Sequence, residues 1–250
     1  MRKVNFHTHT KWCDGADSAR AMCEAAVEKG FSALGFSSHV DLIRDKEAYV
    51  AEIAALKDEF RGRLEVSCGI ESEGALGLEL RPRLDYVIGS FHFVTAPDGT
   101  KVAVDHSPAR LAEGLAGPYC GDSKRLVQDY FAFEREFVST CAGRFDFLAH
   151  PDLVRKFNAK HPFFDETAKW YRAELEATAD AIAAAGVVVE VNTGAISRGW
   201  LDDAYPSAEF RTLLRERGVR FLLSADAHST AALDCAFDRF GSAEDYLVHW

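Results

Sequence analysis

No stretch of this sequence approaches the roughly 20 consecutive apolar residues that a membrane-spanning helix needs, which argues against a helical membrane span. Nor does an apolar signal region follow Met1, Arg2 and Lys3; the chain moves straight into strand-like residues, and a soluble, cytoplasmic protein is expected. The six cysteines (Cys13, Cys23, Cys68, Cys120, Cys141 and Cys235) contain no C-x-x-C pair and lie scattered in apolar or helical context. That spacing removes a zinc ribbon and suits reduced thiols better than a disulfide framework. Basic residues are short too: 29 Lys and Arg against 39 Asp and Glu leave a formal net charge of −10. Phosphate-backbone binding draws on clustered cations, so nucleic acid is not the expected partner, although local basic residues can still serve a small anionic substrate. Low-complexity linkers and internal repeats are lacking as well.

What is present is an alternation. Seven short runs, mostly β-branched or apolar, read as strands at 3–7, 33–37, 64–70, 84–89, 145–150, 187–192 and 219–224. Between them, amphipathic stretches at 18–29, 46–60, 123–141, 165–185 and 207–217 read as helices, closed by Gly30, Gly62, Gly143, Gly186 and Gly218. A repeated βα unit implies a parallel sheet. With 250 residues, 48% of them hydrophobic, the chain can bury one sizeable core, so a single domain spanning 1–250 and the length of an α/β barrel is expected. The longer connections at 95–122 and 193–206 are expected to carry substrate-contacting loops.

His7, His9, Asp14, His39, Glu71, His92, His150, Asp226 and His228 each fall at or just past the end of an apolar run. In a parallel barrel the C-terminal strand ends open onto one face, so these nine metal-competent side chains would converge. Such a cluster needs a counter-charge, and divalent metal is the usual one. In Val4-Asn5-Phe6-His7-Thr8-His9, alternation puts both histidines on one side while Val4 and Phe6 face the other layer. Ser224-Ala225-Asp226-Ala227-His228 repeats the i, i+2 geometry at the far end, and the two pairs become neighbours if the barrel closes. Singly, each member has a plainer reading: Asp14 as a turn residue before Gly15, His39 as a cap, His92 as a satisfied polar group. Glu71 differs, because a carboxylate emerging from an apolar run needs a cation, a metal or water. His106, His161 and His249 read as surface residues in loops or the tail, with His106 and His161 kept as candidate substrate contacts.

Taken in order, His-x-His, Cys-Asp-Gly, Gly-Phe-Ser-Ser-His, Gly-Ile-Glu, Gly-Ser-x-His, Ala-His-Pro-Asp and Ser-Asp-Ala-His resemble the motifs of the PHP (polymerase and histidinol phosphatase) family, over residues 7–228. Asn192 to Arg198 and Asp105-His106-Ser107-Pro108 resemble the substrate loops of its stand-alone histidinol-phosphate phosphatases. The resemblance implies a distorted seven-stranded (β/α)7 TIM-like barrel, with two to three divalent ions (zinc, manganese or iron) at the C-terminal face of its strands. Carried over by motif, His7, His9, Glu71 and Asp226 would hold one metal, and Glu71 would bridge to a second held by His92 and His150. Asp14, His39 and His228 would hold the third; many relatives carry a histidine near the place of Asp14.

The implied reaction is hydrolysis of a small phosphomonoester by metal-activated hydroxide, most specifically L-histidinol phosphate to L-histidinol and phosphate in histidine biosynthesis. Monoester hydrolysis is so slow unaided that the site must lower the barrier by on the order of 20 kcal/mol or more. Glu71, Asp226, His228 and Arg198 are the expected catalytic residues. Arg198 is the first choice for the phosphate, with Arg155, Lys156 and His106 as further substrate contacts; Arg155 and Lys156 also read as solvated helix-start charges. Histidine ligands bind metal in the neutral form, so affinity and activity should fall together as pH drops through the imidazole range. Two alternatives stay open: the same centre acting on a nucleotide or sugar phosphate, and a non-catalytic metal-binding module.

Overall fold

The computed structural model describes residues 3–241 and 246–247. In chain order its strands are β1 (Val4–Asn5), β2 (Ala33–Phe36), β3 (Glu65–Glu73), β4 (Tyr86–Ser90), β5 (Phe93–Thr95), β6 (Lys101–Ala103), β7 (Phe147–Leu148), β8 (Val188–Asn192) and β9 (Phe221–Ser224). The helices are α1 (Ala19–Glu28), α2 (Lys46–Glu59), α3 (Pro108–Ala116), α4 (Ser123–Cys141), α5 (Lys169–Ala185), α6 (Gly194–Ser197) and α7 (Ala208–Glu216). Seven strands pair in parallel in the order β1-β2-β3-β4-β7-β8-β9. The last strand returns to the first through a parallel bridge between Thr8 and Ala227, where His9 N–H donates to Ala227 O at 2.8 Å and Ala227 N–H to His7 O at 3.1 Å. The sheet is parallel, as the βα alternation predicts, and forms the nearly closed seven-stranded α/β barrel that the PHP resemblance implies.

Local chemistry sets the element ends. Ser18, Asp45, Asp122 and Ser207 each accept a backbone N–H in the first turn of α1, α2, α4 and α7. The five glycines expected to end helices all have φ between +67° and +81°, a conformation other residues adopt at a cost. The 95–122 connection departs from a plain loop. It holds the β5–β6 hairpin, which begins at Phe93, and then α3, whose Ser107 N-cap and Pro108 in the first turn were a readable helix start.

The lower half of the barrel interior is an apolar plug of Val4, Phe6, Ala33, Tyr86, Ile88, Phe147, Val188 and Leu222. Tyr86 reaches from β4 across to β1, donating its hydroxyl to Phe6 O at 2.7 Å. Gly35 and Gly69 make room for it, since a Cβ on either would lie 2.5 Å from Tyr86 atoms. The sequence expectation that Val4 and Phe6 face the layer opposite the two histidines is therefore corrected. They line the barrel, and regular pairing of β1 stops at Asn5, whose Oδ1 accepts the His7 N–H at 3.0 Å and lets the next residues turn inward at the mouth.

Candidate metal centre

Glu71 stands at the middle of the mouth. It lies inside β3 rather than beyond its end, paired with Ile88 of β4 and bridged to His39. Its Oε2 faces His7 Nε2 at 3.3 Å, His9 Nε2 at 3.4 Å and His39 Nδ1 at 3.1 Å. Its Oε1 faces His150 Nε2 at 3.0 Å and His92 Nε2 at 3.3 Å. Asp226, just past β9, puts Oδ1 3.2 Å from His9 Nε2 and 3.6 Å from His7 Nε2. Toward solvent, Asp14 lies 3.2 Å from His228 Nε2, 3.6 Å from His9 Nδ1 and 3.9 Å from His39 Nε2. All nine side chains singled out in the sequence meet here. They fall into four overlapping groups whose donor atoms lie within 4.8 Å of one another: His9, Asp14, His39 and His228; His7, Glu71 and His150; His7, His9 and Asp226; and His39, Glu71 and His92.

Burial makes this arrangement costly without a cation. Among the described residues His7 Nε2, His9 Nε2 and Glu71 Oε2 are buried atoms with no hydrogen-bond partner, and they face one another. Orphaned lone pairs aimed at a shared point, from imidazoles and carboxylates, fit a divalent ion of the zinc, manganese or iron type. His150 and Asp226 also have left-handed backbone, with φ of +27° and +48°. Such conformations cost about 1–3 kcal/mol each and are held only where the surroundings over-determine them.

The charges answer one another. Burial alone would raise the carboxyl of Glu71, yet His39, His7 and His92 together hold it well below the usual carboxylate range. Asp226 is likewise held low against burial by Arg198 and His7. His9 is pushed down to about 3, first by burial and then by the neighbouring His228 and His39. His92 goes the other way: burial lowers it, but Glu71 and Glu73 outweigh burial and raise it.

Of the expected substrate residues, Arg198, Lys156 and His106 line a cavity of about 490 Å³ over the cluster. Arg198 follows the short α6 and donates to both carboxylate oxygens of Asp226 at 3.2 Å and to His228 Nδ1 at 2.8 Å. Lys156 donates to Asp105 at 2.8 and 3.2 Å. Arg155 is turned away: its Nε lies 2.9 Å from the half-buried Glu166 and 3.9 Å from the buried Asp152, so it braces the loop instead of facing the cavity. His161 packs beside Trp200 and does not line the cavity. His249 lies outside the described residues.

Sequence reasoning missed the residues behind the candidate ligands. Glu190 in β8 accepts from His7 Nδ1 at 2.9 Å, and Glu73 accepts from His92 Nδ1 at 2.8 Å and from its N–H at 2.9 Å. A signal for Glu190 existed: a lone carboxylate inside the valine run Val187-Val188-Val189-Glu190-Val191, which reads as a buried parallel strand, needs a partner.

Comparison with known proteins agrees with this geometry. A Deinococcus radiodurans protein assigned as a histidinol-phosphatase is 29% identical, over 92% of this chain and 88% of its own. A solved Listeria monocytogenes structure, assigned as a histidinol phosphatase, superposes with a TM-score of 0.85 at 18% identity, covering 96% of this chain and all of the other. The Lactococcus lactis histidinol phosphate phosphatase, solved with zinc, L-histidinol and phosphate, superposes with a TM-score of 0.64 at 18% identity, covering 92% and 87% of the two chains. The family model described as the PHP domain matches residues 5–194, so the chain belongs to the PHP domain family.

Proposed function

We propose that this chain is a metal-dependent phosphomonoesterase that hydrolyses L-histidinol phosphate to L-histidinol and phosphate. The observation that carries the reading is the set of orphaned His7, His9 and Glu71 atoms beneath a cavity walled by Arg198. His7, His9, Glu71 and Asp226 would hold one divalent ion, Glu71 with His92 and His150 a second, and Asp14, His39 and His228 a third. Bound there, such ions supply charge neutralisation for phosphoryl oxygens and activation of water.

The chain's own groups do the rest. Asp226 and His228 fix the Arg198 guanidinium at the cavity wall, from which it can bind two phosphoryl oxygens at once. Lys156, tethered to Asp105, adds a second positive charge on the same cavity. The substrate itself is supported by the relatives named above, whose proteins are called histidinol phosphatases and one of which holds histidinol and phosphate.

Phosphate release from L-histidinol phosphate, a nucleoside monophosphate and an aryl phosphate, before and after chelation and with zinc or manganese restored, tests the reading. Metal-dependent turnover favouring histidinol phosphate is expected. Turnover without that preference would discard the substrate and keep the chemistry, and stoichiometric metal without turnover would leave a non-catalytic module.

A further inference from the structure

β1 and β7 are the shortest strands of the barrel, two residues each, and past them pairing continues as single main-chain bonds, among them Ala227 N–H to His7 O and Ala149 N–H to Gly89 O. His7 lies two residues past Asn5, and His150 lies two residues past Leu148 with its backbone at φ +27°. Those bonds set the path of the chain but leave the His7 imidazole and the His150 N–H to other partners. Glu190, on the longer β8 beside β7, touches both.

The carboxylate of Glu190 has no exposed surface and is surrounded by donors. Oε2 takes His7 Nδ1 at 2.9 Å and the Ser224 hydroxyl; Oε1 takes the His150 N–H at 3.1 Å and Asn192 Nδ2 at 2.6 Å. Four donors from β8, β9 and the segments after β1 and β7 fill the lone-pair capacity of one carboxylate. Such a site suits an acceptor and no other group. With Nδ1–H donated to Glu190, the His7 lone pair sits on Nε2, the atom that faces Glu71 and Asp226. The bond to His150 N–H likewise holds a strained backbone in place, leaving His150 Nε2 directed at Glu71 Oε1.

We infer that Glu190 is a positioning residue for the metal centre: it selects the tautomer and direction of His7 and pins the backbone of His150, stitching together two candidate ligands that follow the shortest strands. The inference rests on the metal-centre reading above. An outer carboxylate that orients a ligating histidine typically contributes 10–100-fold in metal affinity.

The test compares full-length wild type, Glu190→Gln and Ser224→Ala, using zinc alone as the probe and the visible spectrum of the cobalt-loaded protein as a second reading. Glu190→Gln keeps the size but turns one acceptor into a donor facing donors, and should release zinc to a competing chelator with about 10–100-fold weaker affinity and an altered cobalt spectrum. Ser224→Ala keeps the carboxylate, removes one of its anchors, and should weaken zinc binding by less. Wild-type zinc affinity and cobalt spectrum in a folded Glu190→Gln would overturn the inference, even if the metal-free protein melts lower, because that pattern belongs to a purely structural group. If Glu190→Gln does not fold, an unchanged Ser224→Ala overturns the inference and a weakened one supports it. Wild type that binds no zinc or cobalt at all sinks the metal-centre reading, and this inference with it.

Discussion

The two ends of the barrel are made by the same strands and have opposite chemistry. Along β8 the inward positions run Val188, Glu190, Asn192, and along β9 Leu222 and Ser224, followed by Asp226. Within about two inward positions, roughly 13 Å of strand, the interior changes from an apolar plug to a cluster of imidazoles and carboxylates. The base also opens to a depression of about 780 Å³ lined by Lys57, Arg61, Arg63 and Asp85. Its charges pair locally, Lys57 with Asp85 and Arg61 with Asp58, and none of the candidate ligands reaches it. Volume alone does not mark a site. The mouth is distinguished by buried polar atoms left without partners, while the base is distinguished by packing that holds the strands in register beneath them.

The largest effect should come from the mouth. Asp226→Ala and His9→Ala each remove a candidate ligand, and kcat/KM should fall more than about a thousandfold, ~4 kcal/mol, with metal content falling in parallel and the fold retained. Near-normal kinetics for His9→Ala would break the division between the two ends. Phe147→Ala probes the base: Phe147 is buried and stacked on Tyr86 at 5.9 Å, so urea unfolding should show a loss of about 3–5 kcal/mol. The folded fraction should keep kcat/KM within about threefold, since no ligand changes; a larger loss would mean that the plug sets ligand geometry too. Arg198→Ala should cost about a hundredfold in kcat/KM, ~2.7 kcal/mol, while zinc content stays at the wild-type level.

The smallest effect separates two buried glutamates. Glu71 is held ionised by histidines, whereas Glu134 in α4 has no partner for either oxygen among the described residues. Burial, with the Asp152 charge second, pushes the Glu134 carboxyl well above its ordinary value of 4.5. The folded state then keeps a proton that the unfolded chain releases, so this group makes stability fall as pH rises from 4.5 toward the raised folded value. Glu134→Gln should flatten that slope and stabilise the protein by about 1–3 kcal/mol near neutral pH, read from unfolding curves across pH. An unchanged pH slope would show that Glu134 does not carry it.

Much of the mouth was legible because its candidate ligands sit at or near the ends of apolar runs. Strand periodicity located His39, His92 and His150, and the i, i+2 pairs located His7 with His9 and Asp226 with His228. Arg155 and Lys156 were adjacent and equal in sequence. Only the turn after β7, with Leu153 and Val154 buried, sends Arg155 to Glu166 and leaves Lys156 at the cavity. The start of α3 is legible in Ser107-Pro108, an N-cap followed by a first-turn proline, although the length of the connection by itself points to a loop.

By itself the sequence determined the barrel, through seven apolar runs alternating with amphipathic helices, and the identity of the nine side chains at its mouth, because strand ends in a parallel barrel share one face. Tertiary structure decided which of those donor atoms are left unpaired, which cation faces the cavity, and that Glu190 stands behind His7 and His150. Those outcomes depend on which buried donors find acceptors across strands distant in sequence, a matter of packing and hydrogen-bond capacity that no local pattern encodes.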